Sequence, residues 1–401
     1  MATEQVQTTI SAPTVSTPQI GPSRRRPELD ALRGFFLVWM TLNHLPTHLS
    51  EYFNQPFGFV SSAEGFVFLS GLLLAMLSIR RARKEPQEMR EKIWKRSLRI
   101  YGYHLFMLLF AFTIAATVAS HAHRTALANL LNYYLAHPFS AIVSSLLLIY
   151  CPPLLDILPI YIVFMFTTPP LLIFAARKGW GLILAASGSI WLLAQFGVRT
   201  WVHDLTVRTT HLHIPLQETG AFNLFAWQLI WVLGLCFGSF IAGRRRPFPR
   251  LPSSLYLLST AICVFFLGVR HSWFGPHLSA QFFGMQLDKW QIGPLRLLNL
   301  TAFALFLYGS RAVVKRIVSI EPFLTLGKAS LEVFCAHLFF VFVGLALLSG
   351  DAGQLHGVRA ALLILMTFSG MFLVALRAIN RQQQNGAHHV HPYPTDVASH
   401  T

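Results

Sequence analysis

The chain is short of charge, of acid above all, and of cysteine, and each shortage closes a class of structure. Only 12% of its residues are Asp, Glu, Lys or Arg, with 16 acidic residues against 32 basic ones. Soluble domains carry about 25% charged residues, so a soluble globular protein is excluded. The apolar runs are continuous, without the alternation that builds a membrane β-barrel. The four cysteines, Cys151, Cys236, Cys263 and Cys335, form no CxxC pair and no Cys/His set with zinc spacing. No structural disulfide and no metal site is expected; three of the four fall in apolar runs, where Cys acts as a small hydrophobe. GxSxG, the P-loop, a strand-preceded GxGxxG and HExxH are missing too, which leaves no sign of a serine acyl-enzyme, an ATPase or a zinc hydrolase.

What remains is hydrophobic: 54% of the residues, in recurring runs of about 20, the length that crosses a bilayer. The expected fold is an all-α integral membrane protein with about ten transmembrane helices. They fall near 29–49, 57–79, 96–119, 154–176, 179–197, 221–243, 251–270, 293–312, 327–349 and 356–379. Ala141–Tyr150 is apolar but too short to span, and is expected to lie along the interface. Residues 1–27 are rich in Thr, Ser, Pro and Gln and have no apolar core, so they read as a disordered cytoplasmic N-terminus rather than a signal peptide. Residues 28–380 read as a single transmembrane domain and 381–401 as a disordered cytoplasmic tail.

Charge sets the orientation. With both termini cytoplasmic, the inner side receives Arg24–Arg26, the basic segment Arg80–Arg99, Arg177, Lys178, Arg244–Arg246, Arg250, Arg311, Lys315, Arg316, Arg377 and Arg381. The outer side receives only Arg124, Arg199, Arg208, Arg270 and Lys289. This is the positive-inside asymmetry, and it accounts for the net charge of +16 with membrane lipid as the surround and no nucleic-acid partner. The outer loops hold histidines and Trp201, Trp273 and Trp290. Such rings anchor at the interface and also stack on sugars, with Trp273 the candidate sugar contact.

An ionisable group inside an apolar span costs several kcal/mol, so its default reading is functional. The first span carries three: Asp30, Arg33 and His44. Arg33 and His44 are eleven positions apart, about three turns, so they share a face and lie roughly 16 Å apart along the axis. One face thus holds a cation near the inner surface and an imidazole deep in the membrane, which suits a long anionic ligand. Glu64 falls at similar depth on the next, antiparallel span. It is the predicted partner of His44, since a buried carboxylate fixes the imidazole tautomer and raises its basicity; a purely structural hydrogen bond would use the same pair. Arg96 and Arg99, three apart, share a helix face and read with Arg33 and Asp30 as a phosphate site at the inner mouth. Plain positive-inside anchoring competes with that reading, most strongly for Lys92 and Lys95. Asp156, Arg296 and His337 are further embedded groups, Lys328 and Glu332 read as an i,i+4 ion pair, and His104 as a core histidine.

The segments LDALRGFFLVWMTLNHLPT, FGFVSSAEGFVFLSGLL, LDILPIYIVFMF, FNLFAWQLIWVLG and LGKASLEVFCAHLFF resemble the OpgC family of glucan succinyltransferases of the bacterial inner membrane, from about Glu28 to Arg377. Arg33-x10-His44 and Arg96-x-x-Arg99 resemble the arginine–histidine and arginine-pair motifs of the wider acyltransferase-3 superfamily. Leu224 departs from the pattern, where relatives are expected to carry proline. The resemblance implies an O-acyltransferase that moves a succinyl group from cytoplasmic succinyl-CoA to a hydroxyl of an osmoregulated periplasmic glucan. It implies that Arg33, Arg96 and Arg99, with Asp30 beside them, hold the CoA phosphates, and that His44 is a general base oriented by Glu64. The acyl-CoA is then a substrate, and no cofactor is permanently bound. Succinate brings a second carboxylate, for which Arg296 is the expected cation, with Asp156, His337 and Trp273 as further substrate contacts. The rival reading is a secondary transporter of an anionic or sugar substrate. Such folds show inverted repeats with broken spans in matching positions, and no correspondence between the halves is visible here.

Overall fold

The computed structural model describes residues 27–210, 214–243, 250–275, 278–348 and 353–388. Among the described residues the architecture is helical, and the one β-bridge, between Thr47 and Leu355, is isolated. The principal helices are α1 (Pro27–His44), α2 (Ser62–Lys84), α3 (Pro86–Phe110), α4 (Ile157–Lys178), α5 (Gly181–Gln195), α6 (Val198–Thr210) and α7 (Leu224–Gly243). They continue with α8 (Ser253–Arg270), α9 (Pro294–Gly309), α10 (Arg311–Val318), α11 (Glu321–Lys328), α12 (Ser330–Leu347) and α13 (Gly357–His388). A π-helical turn at Ala111–Ala115 carries α3 on to His121.

Among the described residues seven helices are long and apolar enough to cross a membrane: α2, α3 with its extension, α4, α7, α8, α12 and α13. The number is nine if the pairs α5–α6, bent by 80°, and α9–α10, bent by 85°, are each one span. This is a multi-pass membrane protein. The sequence expectation of about ten differs by α1, which carries Glu28, Asp30 and Arg33 within its 18 residues. α1 is also shorter than the run 29–49: it stops at His44 because Pro46 disfavours helical backbone in the residue before it. The third helix starts earlier than expected, at Pro86, where a missing N–H is harmless in the first turn. Residues 125–150 fold into three short helices, Thr125–Leu130, Asn132–Ala136 and Pro138–Leu146, none of them long enough to span. α13 runs past Arg381, where a tail is expected, to His388. The segments 1–26 and 389–401 and the Arg244–Arg246 run lie outside the described residues.

Local chemistry explains two helix starts. Asn223 accepts a hydrogen bond from the Phe225 N–H through its side chain (3.1 Å), a capping contact that opens α7 at Leu224 without proline. Ser61 and Glu64 form a capping box at the start of α2: each side chain satisfies the other residue's backbone N–H. All four cysteines are free, and Cys151, Cys236 and Cys335 are buried.

Helices in lipid gain no hydrophobic free energy by meeting, so close packing between small residues holds them together. Gly234 and Gly238, one turn apart on α7, lie against the α2 backbone at Phe68 and Leu72, with no room for a Cβ. Gly71 of α2 returns the contact: a Cβ there would stand 2.8 Å from the Trp231 carbonyl oxygen. α1 is fixed to α11 in the same way, Gly34 against the Phe323 backbone and Gly327 against that of Asp30. The helices that carry Arg33, His44 and Glu64 are therefore held backbone to backbone. Gly238→Leu should cost at least about 1–3 kcal/mol by overpacking and lower the melting temperature of detergent-solubilised protein. Gly102→Leu, at a site with nothing within 4 Å, should leave it nearly unchanged.

Candidate functional site

A cavity of about 500 Å³ opens among α1, α2, α3, α4 and the α11–α12 junction. Six cations border it, Arg33, Lys92, Lys95, Arg96, Arg99 and Lys328, against two carboxylates, Asp30 and Glu332. Lys92, Lys95, Arg96 and Arg99 recur at three- and four-residue spacing and so form one face of α3. Lys328 and Glu332 do not make the expected ion pair; the helix breaks between them at Ala329 (φ −116°, ψ 41°), which removes the i,i+4 geometry. Both border the cavity instead. Arg33 reaches further in than expected: its guanidinium carbon lies 5.7 Å from the centre of the Phe66 ring. Its Nε is buried with no hydrogen-bond partner among the described residues. The cavity's far end is apolar, made by Phe66, Ile157, Leu158 and Phe334. A charged mouth with an apolar end fits a ligand with an anionic head and an uncharged arm.

One helical turn beyond Phe334 lies His337, fully buried. Its Nδ1 is 2.6 Å from the Phe334 carbonyl oxygen, which only accepts, so Nδ1 carries the ring's proton. Nε2 of the neutral ring is then an acceptor, and it faces Nδ1 of His44 at 3.3 Å. His44 must donate through Nδ1. Its own Nε2 is left with the lone pair and has no protein partner among the described residues. The two rings are 5.6 Å apart and inclined by 21°. A chain from backbone carbonyl to His337 to His44 thus sets both tautomers and presents one free basic nitrogen on a half-buried side chain.

Glu64 does not orient His44. Its Oε2 accepts from the Ser61 N–H at 2.7 Å and from the Ser61 hydroxyl. Its Oε1 lies 2.6 Å from Nε and 2.5 Å from Nη2 of Arg296. The capping box folds the carboxylate back onto the start of α2, where the helix dipole favours an anion, and α9 supplies the counter-charge. Both side chains are out of water, at 0% and 1% exposure. Arg296 also points Nη1 at Gln55 Oε1 and the Leu287 carbonyl, each 3.4 Å away. The cation expected for a substrate carboxylate is therefore neutralised within the protein.

A second, more open cleft of about 400 Å³ lies over this ion pair, between Asn54, Gln55, Phe59, Asp288, Lys289, Trp290 and Arg296. Trp273 is not part of it. That ring ends the turn after α8, 61% exposed and beside His271; the tryptophan at the cleft is Trp290. Asp156 is not part of it either. Burial pushes its carboxyl up to about 6, and its Oδ2 accepts the Ala221 N–H at 3.0 Å. The turn it secures also donates the Asn223 N–H to the Trp290 carbonyl (3.1 Å). Asp156 thereby helps set the floor of the cleft through 221–223. Lys289 was legible only as an outer-loop cation, and nothing in its sequence neighbourhood announces that it borders the cleft with Arg296 and lies within electrostatic reach of Glu64 and Asp156. His104 is buried in α3 and lines neither cavity.

The ion pair can be tested against a catalytic role for Glu64. Glu64→Gln or Arg296→Met alone leaves one buried charge without its partner and should cost about 3–5 kcal/mol of stability. The double replacement should recover a good part of that in a melting curve. Full stability of Glu64→Gln together with lost transfer would instead return Glu64 to the reacting centre.

Neither a curated protein nor a solved structure matches the chain. The family model described as OpgC protein matches residues 25–383, which take in the cationic cavity, the histidine pair and the buried ion pair. Over nearly its whole length, this chain belongs to the OpgC protein family.

Proposed function

We propose that the protein is a transmembrane O-acyltransferase that moves a succinyl group from cytoplasmic succinyl-CoA to a hydroxyl of a periplasmic glucan. Membership of the OpgC family supports a membrane glucan transferase. The reading counts α1 with the nine other candidate spans, puts both termini in the cytoplasm, and sets the chain in a bacterial inner membrane with the cationic cavity facing inward. The observation that supports it is the His337–His44 pair, which leaves one ring nitrogen of His44 without a protein partner among the described residues, in a chain that also has a cation-lined cavity and an open cleft.

The donor's phosphates suit the arginines and lysines of the cavity mouth, where a guanidinium offers two parallel donors to a phosphate. The unpartnered Nε of Arg33 gives one more N–H to a ligand. The pantetheine arm suits the apolar end between Phe66 and Phe334. The glucan hydroxyl enters by the cleft and donates its hydrogen bond to His44 Nε2. As that nitrogen takes the proton, the oxygen attacks the thioester carbonyl carbon. The imidazolium that forms keeps its Nδ1–H on His337, and the carbonyls at the C-terminus of α1 favour its charge. The C–S bond then breaks, the CoA thiolate takes the proton back from Nε2, and a glucan ester and free CoA remain. His337 is a positioning residue in this scheme. A transporter would need a cavity and a cleft but no aligned imidazoles.

His44→Ala should lower transfer by about 10²–10⁴-fold, the worth of a general base. His337→Ala should lower kcat while leaving the donor KM alone. His337→Gln should recover part of it, because a carboxamide can both donate to Phe334 and accept from His44. Equal kinetics for the two His337 variants would remove the tautomer argument.

Arg96→Ala or Arg99→Ala should weaken CoA binding in calorimetry and make it less sensitive to salt. Sealed proteoliposomes of known orientation test the whole reading. Ester should form only with succinyl-CoA on the Arg99 side and glucan on the Trp290 side. Glucan or succinate delivered across the membrane without ester would put the transporter in its place.

A further inference from the structure

If a succinyl group is the cargo, its distal carboxylate needs a cation near His44, and the expected one, Arg296, is already neutralised by Glu64 at 2.5–2.6 Å. The cations of the inner cavity stand at the opposite end, with the donor's phosphates. Among the described residues that line the open cleft, the other cation is Lys289. It borders the outer cleft beside Arg296 and Trp290. Its ammonium lies 4.6 Å from the centre of the Trp290 ring, and among the described residues no carboxylate comes within ion-pair distance of it.

The acids around it are each engaged elsewhere. Glu64 holds Arg296 and Ser61, Asp156 holds the Ala221 N–H, and Asp288 accepts the Gln291 N–H at 2.7 Å. Lys289 is within electrostatic reach of Glu64, Arg296 and Asp156, and of His44 itself. Burial lowers its pKa from the ordinary lysine value, so an anion arriving beside it would gain a partner that is poorly hydrated.

The two cavities approach each other here. Phe66, at the apolar end of the inner one, is two residues from Glu64. Ile157 adjoins Asp156, and Phe334 is one turn from His337. An acyl chain that runs from the inner cavity toward the open cleft therefore passes from apolar surface to an unpaired ammonium.

We propose that Lys289 selects the acyl group: it binds the terminal carboxylate of a dicarboxylic acyl donor whose thioester carbonyl lies at His44. This rests on the acyltransfer reading above. The site distinguishes succinyl from butyryl, which has the same four-carbon chain without the charge, and from acetyl, which is too short to reach.

The test uses full-length protein in proteoliposomes, a neutral glucan acceptor, and succinyl-CoA and butyryl-CoA in parallel. Lys289→Met should lower the succinyl-to-butyryl ratio of kcat/KM by about 10- to 100-fold, the worth of one hydrogen bond to a charged group. Lys289→Arg should keep most of the preference, and its retained activity shows that the position tolerates replacement. An unchanged ratio in Lys289→Met overturns the assignment, as does an equal fall for both donors. A ratio that stays while discrimination between anionic and neutral glucans is lost overturns it too, by moving the anion to the acceptor. These outcomes leave acyl transfer standing. Absence of ester from either donor with the unaltered protein is the separate result that removes the acyltransfer reading itself.

Discussion

A carboxylate and a guanidinium meet out of water between α2 and α9, and much of the structure around the open cleft follows from that contact. Neither Glu64 nor Arg296 is tolerable alone in an apolar surround, where an uncompensated charge costs several kcal/mol. Each must therefore be brought to the other by the fold, and each then ceases to be available to a ligand. The pair is braced on both sides, by Ser61 on the acid and by Gln55 and the Leu287 carbonyl on the base. It ties the start of α2 to the start of α9 and the loop before it, which makes the floor of the outer cleft a fixed surface.

With Glu64 engaged, His44 takes its orientation from another imidazole. A carboxylate partner would hold the ring by charge as well as by direction. A neutral histidine holds it by direction alone, with its own direction set by a backbone carbonyl one turn away. The arrangement adds no formal charge to the apolar surround of the pair, which is the least costly way to fix a tautomer in hydrocarbon. His337 is fully buried while His44 is not: one ring is enclosed by packing and the other is partly exposed.

The helical, membrane-embedded fold could be read from the sequence because apolar runs of spanning length have one stable outcome in lipid. The cationic face of α3 was legible for a similar reason, since residues 92, 95, 96 and 99 lie together on any continuous helix. The misreadings come from places where helix continuity or depth was assumed. Lys328 and Glu332 are four apart in a chain that breaks at Ala329. Glu64 was matched to His44 by depth, although Ser61-Ser-Ala-Glu64 is itself a capping box, a local pattern that predicts a carboxylate folded onto its own helix. His337 was visible as an embedded histidine, but its contact with His44 depends on how α12 meets α1. Lys289 carries no local signal. Its position comes from a loop held through the Trp290 carbonyl by the 221–223 turn and, behind that, by Asp156, and so from contacts far apart in sequence.

The stacked rings of Phe66 and Phe334, 6.4 Å apart, with His337 edge-on to Phe334 at 4.8 Å, close the inner cavity within one helical turn of the outer groups. If water fills both cavities, a thin apolar wall between them would concentrate a membrane's voltage, where each elementary charge moved through the full drop is worth about 2.3 kcal/mol per 100 mV. On the proposed orientation the cytoplasmic side is negative. For the donor proposed above, an anionic acyl tail threading past the rings would move in the direction that the potential favours while its nucleotide end stays behind. The aromatic wall that keeps ions from leaking would in this way let the cell's own potential draw the charged end of the donor toward the outer face.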